Sequence, residues 1–153
     1  METGLSFDLL FSLATNAAWA GWLLLALLPY RIDAPRLTVV LIALAVSIVY
    51  AALLAAFWSS GSGGFGSLDQ VARLFEHRGL LLAGWVHYLA FDLLVGLWER
   101  EQARRLGMSR WLLVPCLILT LMFGPLGWLA FMALRFYLLR SRAGAAPLPL
   151  PVP

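Results

Sequence analysis

Long apolar runs separated by short polar connections constrain this chain more than any other feature of it. A helix needs roughly 20 consecutive apolar residues to cross the hydrocarbon core of a bilayer. Four segments meet that length: about 5–28, 37–58, 79–98 and 111–139. The first ends at Pro29, and Pro35 opens the second, as stop and start signals do. The first run also begins with Glu2 and Asp8 instead of a basic region and is followed by no small-residue cleavage site, so it reads as a retained span. The expected fold is all-α: an integral membrane bundle of four transmembrane helices in a single domain over 1–140.

Composition agrees. Apolar residues make up 62% of the chain and charged residues 12%, against about 25% charged in a soluble domain. All eleven basic residues are Arg, and they gather at the ends of the apolar runs, where flanks meet water and headgroups. No basic stripe interleaved with exposed aromatics points to nucleic acid. The single cysteine, Cys116, excludes an internal disulfide and any cysteine-based metal site.

Between the second and third spans lies SSGSGGFGS, read as flexible, and then SLDQVARLFEHR. Leu68, Val71, Leu74 and Phe75 recur there at helical spacing opposite Asp69, Arg73 and Glu76, which predicts a short amphipathic helix on the membrane surface, capped by Ser67. The tail over 141–153 is Pro-rich and should be extended and loose. Four straight spans set Arg73, Arg78, Arg135, Arg140 and Arg142 on one face, and Arg31, Arg36, Arg100, Arg104, Arg105 and Arg110 on the other. Five against six gives the positive-inside rule nothing to act on. Only the compactness of the 99–110 cluster favours that face as cytoplasmic.

Polar groups inside a bilayer are costly, so their positions carry the functional information. In GWVHYLAFDLLVGLWE, His87 and Asp92 lie near the middle of the third span and point about 140° apart at 100° per residue. Tyr88 and Asp92, four apart, share a face that Glu99 extends. An ionised Asp at this depth costs several kcal/mol, so Asp92 should carry a proton or find a partner. Asn16, Ser47 and Tyr50 sit at similar depth in the first two spans. In the fourth, Pro125 removes an N–H and frees the Leu121 carbonyl, while Gly124 and Gly127 admit a close backbone or a flat ligand. Each of these also has a plain structural use: Asn16 or His87 as an interhelical hydrogen bond, Glu99 as an interfacial anchor, Arg135 reaching for water, the Gly-Pro break as relief of packing. A haem clamp lacks a second axial ligand, a zinc site lacks ligands beyond His87 and Asp92, and no phosphate loop or nucleophile elbow is present.

The segments LLAGWVHYLAFDLLVGLWE and LTLMFGPLGWLAFMALR, with GGFGSLDQVARLF between the middle spans and Asn16 and Trp22 ahead of Pro29, resemble the neoxanthin synthase-like family, also called abscisic acid-deficient-four-like. The resemblance implies a small four-helix protein of a bacterial cytoplasmic or photosynthetic membrane that binds or acts on a carotenoid or similar polyene lipid. It implies a cofactor-independent isomerisation, with Asp92 as acid, His87 as base, and Asn16 and Tyr88 orienting an oxygen. The polyene would lie against Trp85, Phe91, Phe123, Pro125 and Trp128. Two other readings stand beside it: a non-catalytic subunit of a larger membrane or pigment-protein complex, and a lipid or quinone binder with no dependence on Asp92.

Overall fold

The computed structural model describes residues 6–30 and 32–144; among them every regular element is helical. The helices are α1 (Phe7–Leu27), α2 (Ala34–Phe57), α3 (Leu68–Glu76), α4 (Arg78–Arg105), α5 (Arg110–Phe123) and α6 (Pro125–Gly144), with a one-turn 3-10 helix at Trp58–Ser60 after α2. Three helical segments are long and apolar enough to cross a membrane: Phe7–Leu27, Pro35–Ser60 and Arg78–Arg105. The described residues form two compact units, divided between Trp98 and Glu99 within α4.

Local chemistry explains the ends. Ser6 caps α1 by accepting from the Leu9 amide at 3.2 Å, and Leu28 turns extended ahead of Pro29, which disfavours helix in the residue before it. Pro35 sits in the first turn of α2, where its missing N–H costs nothing. Ser67 caps α3 by accepting from the Gln70 amide at 3.3 Å, as its position predicts. The tail reading falls partly outside the description: residues 141–144 are helical, and 145–153 lie beyond the described residues.

In the first unit α1 and α4 run side by side in the same direction. Asp8 meets Arg78, Thr15 meets Trp85, and Gly21 and Trp22 meet Leu93 and Gly96. Alpha-carbon hydrogens make the closest approach possible: a Cβ on Gly96 would lie 2.6 Å from the Trp22 ring, and one on Gly21 would lie 2.9 Å from Leu93. α2 runs antiparallel to α4, with Phe57 over Gly79 and Tyr50 beside His87. Ala14, Ala18, Val46, Ala83, Val86 and Ala90 form the core among these three helices. Small residues suit it, because membrane helices associate through close van der Waals packing with no hydrophobic drive between them.

Three expectations need correction. The SSGSGGFGS stretch is not a free linker over its second half. The Gly64 amide donates to the Gln70 carbonyl at 3.2 Å, Gly66 donates to the Gln70 side chain at 3.0 Å, and a Cβ on Gly63 would collide with the backbone of α3. The third helix does not stop at Trp98 but continues to Arg105. It ends in a Schellman turn, with Gly107 at φ +56, its amide on the Arg104 carbonyl and the Met108 amide on the Ala103 carbonyl.

The fourth apolar run, expected as one helix over 111–139, is two helices. Gly124 adopts φ +48, a conformation open to glycine, and Pro125 starts α6 where the sequence reading had it kinking a continuous helix. α6 folds back on α5 so closely that a Cβ on Gly127 would run into the backbone of Thr120. Four crossings are therefore not established; three helices have the length and apolarity, and α5, at 14 residues, has neither full length nor a straight continuation. Phe131, Leu113 and Leu117 are the buried core of this second unit.

Candidate functional site

α2 and α4 diverge enough in the first unit to leave a groove of about 660 Å³, closed on its third side by α3 and the loop before it. Its walls are Leu54, Ala55 and Trp58 from α2 and its end, Phe65 from the loop, Leu74 and Phe75 from α3, and Leu80, Ala83 and Gly84 from α4. Amphipathic spacing turns Leu74 and Phe75 inward, and Gly84 lets Phe75 approach: a Cβ there would lie 2.7 Å from that ring. Tyr50, His87 and the indole of Trp58 are the lining side chains that carry polar atoms.

His87 stands with its ring centroid 5.3 Å from Tyr50 and 4.5 Å from Phe91, and it is exposed at the groove. Phe91 is likewise exposed and stacks on His87 one turn along α4. One helix position away the surroundings change. Trp85 donates its indole N–H to the Thr15 hydroxyl at 3.1 Å and lies against Phe11 and Tyr88. Tyr88 sits one turn from Asp92 on the same side of α4, and the Asp92 Oδ2 is buried with no hydrogen-bond partner among the described residues. Asp92 and His87 thus occupy different faces of α4, as their spacing predicts: Asp92 with Tyr88, His87 with Tyr50 and Phe91. Asn16 is exposed on α1.

Phe123, Pro125 and Trp128 belong to the second unit, at and just after the α5–α6 turn, and all three are exposed. That unit also holds a polar pair that includes Glu99, the residue expected from sequence to be an interfacial anchor. Glu99 is fully buried, and Thr120, equally buried, donates its hydroxyl to Glu99 Oε1 at 2.9 Å. Nearby on the same helix Glu101 pairs with Arg104 and Arg105, each at 2.9 Å.

Tyr50 was visible in the sequence only as a polar residue at mid-span. Its register against His87 depends on how α2 meets α4, and the contribution of Phe65 and Phe75 depends on α3 folding down over the groove. The signal that existed was the amphipathic pattern of 68–76, which says that one face must be covered. No group of three or more His, Cys, Asp or Glu able to hold a metal ion occurs among the described residues.

Fold and site together define a helical membrane protein with an apolar groove that carries a few polar groups. Its family follows from the sequence: the chain belongs to the ABA DEFICIENT 4-like family, whose model matches residues 9–131. No curated protein and no solved structure matches the chain.

Proposed function

We propose that this protein binds a carotenoid or similar polyene lipid in the groove between α2, α3 and α4 and isomerises an oxygenated end group by proton transfer. The observation that carries the reading is the groove itself: about 660 Å³, walled by aromatic and aliphatic side chains, with Tyr50 and His87 together on its lining. Apolar pockets with a few placed polar groups are the usual form of a site for a flat, hydrophobic ligand.

Isomerising an epoxide needs no redox partner. A base takes a proton from the carbon beside the ring, that C–H pair becomes a C=C bond, the C–O bond breaks, and the oxygen takes a proton. His87 is the base, its ring nitrogen offering a lone pair to accept the proton. Tyr50, with its ring beside His87, is the group placed to hydrogen-bond and protonate the oxygen, and return of the proton from His87 to Tyr50 closes the cycle. Asp92, the acid named from sequence, contributes from the neighbouring face of α4, one turn from Tyr88.

The test is a chromatographic pigment profile from a carotenoid-producing host carrying wild type, His87→Ala, Tyr50→Phe, Asp92→Asn or empty vector. A new pigment with wild type that disappears with His87→Ala and Tyr50→Phe supports the isomerase. Profiles identical to empty vector throughout would end the catalytic reading. Co-purification with a larger complex would then favour an accessory subunit.

A further inference from the structure

The α5–α6 hairpin bears on which way the protein faces. An unbroken helix from Arg110 to Arg142 would be about 48 Å long and would carry Leu106 and Arg142 to opposite sides of a bilayer. Instead Arg142 Nη2 donates to the Leu106 carbonyl at 2.6 Å, so the far end of α6 returns to the turn from which α5 departs. The reversal is built in at two points, the left-handed Gly124 and the contact of Gly127 with Thr120. α5 alone, at 14 residues, is about 21 Å long, short of a core of about 30 Å.

We propose that the last apolar stretch enters and leaves on one membrane face, so that the C-terminal end of α6 shares the face of the α4–α5 turn, and that this face is cytoplasmic. The second half follows from charge. With the hairpin folded back, Arg104, Arg105, Arg110, Arg140 and Arg142 of the second unit all flank helix ends on that face, and among the described residues no Arg flanks the turn at Gly124. Arg135 lies within α6 and joins neither group. Five against none within this unit is a bias on which the positive-inside rule acts. The reversal of one helix moves Arg140 and Arg142 and supplies the orientation signal.

Single cysteines at Ser62, Ser109 and Ser141, all exposed, test both halves in the full-length protein carrying Cys116→Ser. A membrane-impermeant maleimide is added to intact cells of a bacterial host and again after permeabilisation. Ser62→Cys should label in intact cells, and Ser109→Cys and Ser141→Cys at least tenfold more strongly once the membrane is opened. Ser141→Cys labelling with Ser62→Cys and apart from Ser109→Cys would overturn the fold-back. Ser109→Cys and Ser141→Cys labelling together in intact cells would overturn the cytoplasmic assignment. Should Cys116→Ser reduce the yield, fusions to the wild-type C-terminus test the cytoplasmic assignment of that end: a fluorescent protein bright and a periplasmic phosphatase inactive as expected, the reverse pattern overturning it.

Discussion

Thr120 and Glu99 meet at 2.9 Å with both side chains fully buried, the hydroxyl donating to the carboxylate one turn from where the chain reverses at Gly124. A carboxyl group held away from water needs its donors, and losing one leaves the acceptor's desolvation uncompensated. Thr120→Val keeps the shape and removes the donor. It should cost about 1–2 kcal/mol, the range for a hydrogen bond between membrane helices at its stronger end. Reversible unfolding in mixed detergent would measure it, and Thr120→Ser should recover most of the loss.

Gly127→Ala should be worse than Thr120→Val. The added methyl meets backbone, which cannot rotate away as a side chain would. Overpacking of this kind costs about 1–3 kcal/mol or opens the hairpin. A pair of spin labels at Ser109 and Ser141 would read the opening as a lengthened distance, and an unchanged distance with unchanged stability would contradict the close contact.

The Trp22–Gly96 contact predicts a compensating pair. Gly96→Ala places a methyl against the indole and should destabilise the first unit by about 1–3 kcal/mol. Trp22→Leu alone should also destabilise, by leaving a void. The double variant should be more stable than the sum of the two single losses allows, which a double-mutant cycle in detergent unfolding tests.

By contrast, Asp8→Asn should do little. Its ion pair with Arg78 at 2.9 Å is largely exposed on both sides, and exposed pairs contribute about 0–1 kcal/mol. Any loss should vanish at high salt; a loss that survives it would mean the pair is less solvated than its exposure indicates.

Filling the groove separates binding from folding. Ala55→Phe puts a ring into the space without touching the α1–α4 contacts. The pigment retained on purified protein should fall at least tenfold while thermal stability stays within a few degrees of wild type. Retention at the wild-type level would place the ligand elsewhere.

Much of the fold was legible. Apolar length alone located α1, α2 and α4, since a bilayer sets one length scale for every span, and the Ser67 cap with its amphipathic repeat located α3. The break at Gly124 was visible as a Gly-Pro pair, but whether such a pair kinks a helix or reverses it depends on what α6 finds to pack against. Here Gly127 fits onto Thr120, and hydropathy averaged over a window carries no trace of that. Continuation of α4 past Trp98 was hidden for the opposite reason: the charged residues from Glu99 to Arg105 look like a loop by composition, yet most are good helix formers, and Gly107 supplies the stop.

The candidate site divides in the same way. That His87 and Asp92 point apart on one helix is a property of helical pitch and needed no structure. That His87 meets Tyr50, that Phe75 covers the groove over Gly84, and that Glu99 is enclosed with Thr120 were decided by tertiary packing, because each depends on the register between helices distant in sequence. By itself the sequence determined that this chain belongs in a membrane, roughly where its helices run, and which polar groups lie deep within them. Only the folded structure decided how those groups are partnered and that α6 turns back on α5, since both depend on contacts between helices that pitch and hydropathy do not encode.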